Sequence, residues 1–159
     1  MRILTVYSLI FCLHLAAQQP NAPNPKFLPE DPELYFSFFQ FHNDLDQQVQ
    51  GANPVLASQL TGNAIVAYNV STEDFTKLTL QVRAFAKDFR NWQFPVQAYF
   101  GKIQANKQLP DVNVVKAFQF QRQSLVKSHY DAIHQALSPA SWNGLHTYIN
   151  GNFKQGGRP

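Results

Sequence analysis

The stretch FTKLTLQVRAFAKDFRNWQFPVQAYFGKI, residues 75–103, decides the fold class. Its large apolar residues are Phe75, Leu78, Val82, Phe85, Phe89, Trp92, Val96, Tyr99 and Ile103, which alternate steps of three and four over four heptads. That spacing predicts one long helix with one continuous buried seam. Aromatic residues dominate the seam, which suits a thick globular core better than a slim two-stranded coiled coil.

Signals on either side give this helix its ends. Ser71 is placed to cap it, with Asp74 three residues on as the acid of a capping box and Glu73 beside it at the positive end of the dipole. Pro95 lies inside it, removing a hydrogen bond and crowding the carbonyl of Asn91, so a bent helix is expected rather than two separate ones. The helix should fray by Ala105 to Gln108, before Leu109-Pro110.

Upstream, Asp31-Pro32-Glu33 reads as a helix start. The helix from about Pro32 to Gln50 sets Leu34, Phe38, Phe41, Leu45 and Val49 on one face, with Tyr35 and Phe39 widening it. After Gly51, Asn53-Pro54 opens a second helix, either one piece or two broken at Gly62-Asn63. Downstream, Asp111 starts a helix to about Leu137, with Val115, Phe118, Val126, Ile133 and Leu137 on its apolar face. Ser138-Pro139 opens the last helix, with a stripe of Trp142, Leu145, Ile149 and Phe153 and an early stop signal at Asn150-Gly151.

The sum is an all-α, up-and-down bundle of four to five helices around a long, Pro-kinked central helix. Short connections favour antiparallel neighbours, so the long helix, the Asp111 helix and the first helix form the expected frame. A homodimer stays open, because heptads of this length also serve helix-mediated dimers.

A length of 159 residues fits one domain. The amino terminus reads as a secretory signal over 1–17: Met1-Arg2, the apolar run Ile3 to Leu15, then Ala16-Ala17 before polar residues. The competing readings are an amino-terminal core helix and a lipoprotein anchor at Cys12, the latter opposed by Phe11 where a small residue is needed. Residues 18–31 are rich in proline and amides and read as an extended, disordered arm. The bundle domain then spans 32–154, and 155–159 form a disordered tail.

Cleavage near Ala17 would remove the only Cys and the only Met. No disulfide, thiolate chemistry or cysteine metal site then remains, and no stable membrane anchor. Export without disulfides suits a bacterial periplasm or medium, where the sequon Asn69-Val70-Ser71 reads as chance.

Charged residues make up only 14% of the chain, against roughly 25% in an ordinary soluble domain. Its 17 Gln and 12 Asn make much of the polar surface neutral amide. A net charge of +3 is too small for a nucleic-acid or membrane footprint.

The order of these signals resembles a group of small secreted bacterial helical proteins. The matching residues are Tyr35-x-x-Phe38-Phe39, Val70-Ser71 with Asp74, and Leu109-Pro110. They continue with Gln121-Arg122 and end at Leu137-Ser138-x-x-Ser141-Trp142 with Leu145 and Tyr148. The resemblance spans most of the mature chain and is architectural; it implies a fold and no activity.

Four residues are out of keeping with the faces they occupy. His42 lies inside the first apolar stripe with Asp46 one turn later, and Arg122 and His129 fall mid-face on the Asp111 helix, two turns apart. If those helices face each other, the four groups meet inside an apolar bundle. A buried network that fixes the register would pair Arg122 with Asp46 or Asp44 and satisfy the imidazoles from Tyr35, Tyr99 or Tyr130. A metal site would use His42, His129 and Asp46, although an Arg in the same layer repels a cation. Non-covalent haem or an apolar ligand between the helices is a third reading, and an acid/base site a fourth.

Arg83, Lys87 and Arg90 form a basic row on the outer flank of the long helix, read as a solvated face or a contact for an anionic partner. No phosphate loop, nucleophile elbow, zincin motif or calcium loop is present. The sequence therefore reads as an exported, non-enzymatic interaction or adaptor protein binding an unknown protein or small ligand. No cofactor is assigned; the alternative is a periplasmic bundle that binds a metal, haem or apolar ligand.

Overall fold

The computed structural model describes residues 32–153, and the signal, arm and tail readings lie outside them. The protein is an all-α helical bundle of five helices, with no strand among the described residues. They are α1 (Pro32–Gly51), α2 (Pro54–Tyr68), α3 (Thr72–Ala105), α4 (Val112–Ala136) and α5 (Pro139–Phe153). The connections are two to six residues long, and the longest reverses the chain so that α3 and α4 run antiparallel, with Tyr99 against Phe118 and Asp88 against His129.

The helix ends follow from the residues found there. The Asn53 side chain accepts from the Leu56 amide at 3.0 Å, opening α2. Asn69 closes it in the left-handed conformation, φ 52°, and the amides of Asn69 and Val70 donate back to the carbonyls of Val66 and Ile65. The Ser71 side chain accepts from the Asp74 amide at 3.1 Å, and Asp111 accepts from the Asn113 amide at 2.7 Å. At the α3–α4 turn the Asp111 amide donates to the Tyr99 hydroxyl at 2.7 Å, which ties the two helices together at their tip.

Phe38, Phe39, Tyr68, Leu78, Val82, Phe85, Ile133, Leu145 and Ile149 form the centre of the core. α3 packs on α4 and α1, while α2 and α5 lie across α1 and touch each other. That contact rests on Gly144, where an added Cβ would stand 2.3 Å from the Asn69 carbonyl oxygen.

Of the two readings left open for α2, the single piece holds, unbroken through Gly62-Asn63. α3 runs through Pro95 as one helix rather than two, as expected. Other expectations are corrected. α5 continues through Asn150-Gly151 to Phe153. The α3 seam is not continuously buried: Leu78, Val82, Phe85 and Val96 are buried, but Phe75, Phe89, Trp92, Tyr99 and Ile103 are only half-buried. For Trp92, Tyr99 and Ile103 the cause is length. At about 1.5 Å per residue the 34 residues of α3 outreach α1, α2 and α5, which have 20, 15 and 15. Beyond Trp92 its main partner is therefore the first half of α4, with Tyr99 against Phe118 at 5.7 Å.

The capping box at Ser71 is also not formed in the expected way. The Asp74 carboxylate turns away to accept from the amide and hydroxyl of Ser138, at 3.2 and 2.6 Å, and from Lys77. The Ser71 amide donates instead to the Ser141 hydroxyl at 3.1 Å. A local cap acid has become a clamp holding the start of α5 against the start of α3.

Candidate functional site

His42, Asp46, Arg122 and His129 are all buried, but the bundle does not bring the four together. Each is held by a partner on a neighbouring helix, and the partners differ from those the sequence suggested.

His42 sits between two hydroxyls. Thr79 donates its single hydroxyl proton to the Phe75 carbonyl at 2.9 Å, so it accepts from His42 Nε2, 3.0 Å away. Nδ1 is then the unprotonated nitrogen and accepts from the Tyr68 hydroxyl at 3.2 Å. The relay Tyr68 to His42 to Thr79 to Phe75 fixes a neutral imidazole with no lone pair to spare. Burial among Phe38, Tyr68 and Phe75 pushes the imidazole down to about 4; nearby Asp46 opposes the shift and the Arg83 charge adds to it. Burial likewise raises the Tyr68 phenol well above its usual range.

Asp46 belongs to Arg83. The guanidinium grips the carboxylate through Nε and a terminal nitrogen at 2.7 and 2.8 Å, and the Gln50 amide donates at 2.7 Å. These bonds, Arg83's first, hold Asp46 below the ordinary carboxylate range against the effect of burial. The basic row is thereby divided. Arg83 is anchored to α1, whereas Lys87 and Arg90 are exposed.

Arg122 pairs with Glu33 at the start of α1, and its guanidinium lies 4.9 Å from the centre of the Phe36 ring. His129 Nε2 is 3.2 Å from Asp88 on α3, and Phe85 meets the imidazole edge-on. His42 and His129 thus face α3 at Thr79 and at Phe85–Asp88, six to nine residues apart, or roughly 9–13 Å along a helix. That separation, with both His42 nitrogens engaged, does not fit a shared metal or a haem held by the two imidazoles. Among the described residues no group of three or more His, Cys, Asp or Glu side chains is placed to hold a metal ion.

Two features escaped the sequence reasoning. Gln47 to Thr72 is a run of 26 residues without a charge, and it contains all of α2. Ala64 and Tyr68 point that helix into the core, but Val55, Leu56 and Val66 stay exposed on the other side. The missing charge was a readable signal, passed over because the helix has almost no amphipathic period. The second feature is a cleft of about 180 Å³ between α1 and α3, lined by Phe39, Phe85 and Phe89 and rimmed by Asp44 and Arg90.

Among the described residues no helix is long and apolar enough to cross a membrane. Comparison of the chain with protein-family models, with curated proteins and with solved structures finds no match.

Proposed function

We propose that this chain is an exported, non-enzymatic interaction protein that meets a partner protein through the outer face of α2. The signal-like layout of residues 1–17 supports export. The engagement of His42, Asp46, Arg122 and His129 with intramolecular partners supports a structural use of these groups rather than an acid/base one.

The observation that carries the reading is the exposure of Val55 and Val66, at 70% and 79%. Eleven residues apart, they fall within about 20° of each other around the helix, and Gly62 lies on the same line. Gly62 has open space where a Cβ would be. The same line carries the neutral amide of exposed Gln59 and no charge, so this side of α2 offers an uncharged ridge, apolar at its two valines, suited to an apolar groove on another protein.

The test is a photo-crosslinking residue placed at Val66 in the organism that makes the protein, with exposed Thr76 on α3 as the control position. One discrete adduct at Val66, abolished by Val55→Glu in a chain that melts as wild type, is the expected result. Equal labelling from both positions would overturn the assignment.

A further inference from the structure

We propose that the cleft between α1 and α3 binds a small zwitterion, an α-amino acid with an apolar side chain, its carboxylate at Arg90 and its ammonium at Asp44. This goes beyond the protein contact at α2 and does not depend on it.

The argument starts from the acids. Among the described residues, Glu33, Asp46, Glu73, Asp74, Asp88, Asp111 and Asp131 each hold an ion pair or a hydrogen bond. Asp44 alone holds neither, although it lies one turn from Gln40 and beside the same cleft as a cation. That cation, Arg90, is likewise without an ion pair among the described residues, while Arg83 two turns earlier is clamped to Asp46. Two opposite charges share one recess and do not close on each other.

Their placement follows from the packing. Phe36 meets Phe89 at 5.1 Å and Phe39 meets Phe85 at 4.8 Å, so α1 and α3 run antiparallel. Side chains lean toward the amino end of their own helix. Asp44 therefore leans back over Gln40, and Arg90 leans back over Ala86, from opposite walls toward one centre. The floor between them is aromatic, made by Phe39, Phe85 and Phe89, and amides of Gln40, Asn43 and Gln93 fill the rim.

A cation, an anion and an apolar floor in one recess match a zwitterion that carries a hydrophobic body. A simple anion would meet Asp44, and a simple cation would meet Arg90. The volume, about 180 Å³, is below the roughly 300 Å³ where clefts for larger organic ligands begin. It suits a single amino acid. Because the rim is open to water, the affinity should be modest, with a Kd on the order of 1 mM.

The experiment is an NMR titration of the ¹⁵N-labelled chain with L-leucine, leucinamide and N-acetyl-leucine. Leucine is expected to shift α1 and α3 amides around Gln40–Asp44 and Ala86–Arg90, and each half-charged analogue should bind about tenfold more weakly. Arg90→Gln should weaken leucine but not leucinamide, which has no carboxylate to lose; Asp44→Asn should weaken leucine but not N-acetyl-leucine. Both positions are exposed, and unchanged spectra away from the cleft verify folding. The proposal is overturned if leucine moves no cleft amide at ten times the expected Kd, or if all three compounds bind alike.

Discussion

Replacing Gly144 by Ala tests the packing of α2 on α5 directly. In an exposed helix interior this change stabilises by about 1 kcal/mol, because glycine loses more backbone freedom on folding. At Gly144 the new methyl would stand 2.3 Å from the Asn69 carbonyl oxygen and 2.9 Å from both the Tyr68 oxygen and the Asn69 Cβ. Ordinary contact begins at 3.4 Å, so the helices must part by about 1.1 Å, the difference between 3.4 and 2.3 Å. Two of the three obstructing atoms are backbone, in a segment pinned by the left-handed Asn69 and by the bond from the Ser71 amide to Ser141. No side-chain rotation relieves them. Parting also loosens Tyr68 against Tyr148, whose rings lie 4.6 Å apart. Overpacking costs typically 1–3 kcal/mol, and the upper part of that range applies to a backbone obstacle. The net expectation is a loss of about 2 kcal/mol, or roughly 6–10 °C in Tm for a domain of this size. Gly62→Ala and Gly151→Ala, which meet nothing within 4 Å, should each be neutral or gain up to about 1 kcal/mol. Urea unfolding followed by circular dichroism reads all three. A Gly144→Ala protein as stable as the other two would refute the close contact.

The His42 imidazole is held down to about 4, so the unfolded chain binds more protons there, and stability falls as pH drops below about 6.5 and levels off near 4. Between pH 7 and 5 the loss should be roughly 2 kcal/mol, measured as the difference in urea unfolding between wild type and His42→Gln; identical pH profiles would remove the neutral relay. Arg83→Leu leaves the buried Asp46 carboxylate with only Gln50 and should cost about 1–3 kcal/mol, while Lys87→Gln stays within about 0.5 kcal/mol in the same assay. Arg122→Leu should be milder than a buried-pair deletion, under about 2 kcal/mol, because Glu33 is half-exposed and rehydrates; a loss above about 4 kcal/mol would show that Arg122 holds more than Glu33 and the Phe36 ring.

The helices were legible because their signals are local. Asn53, Ser71 and Asp111 cap where their side chains suggest, and the three-four spacing from Phe75 to Ile103 marks a helix without help from the rest of the chain. How much of that seam is buried was not legible, since the answer depends on the lengths of the other helices. Asp74 shows the same limit. Three residues after Ser71 it satisfies a local rule, and only the arrival of Ser138, 64 residues later in the chain, gives its carboxylate stronger donors. Ser138-Pro139 was readable as a helix start, but nothing in its spacing pointed back to residue 74.

The candidate site divides along the same line. That His42, Asp46, Arg122 and His129 are buried followed from their helical phase, which a sequence records. Their partners did not follow, because the choice among acids depends on helix register. Shifting α1 by one turn against α3 would put His42 or Gln50 in place of Asp46 opposite Arg83 and move Thr79 away from His42. Each polar bond therefore favours the same register as the aromatic contacts Phe39–Phe85 and Phe36–Phe89. Groups used in this way are committed to the fold. Asp44 and Arg90 at their cleft, and the uncharged face of α2, are by contrast places where the bundle leaves chemistry unspent for a ligand or partner.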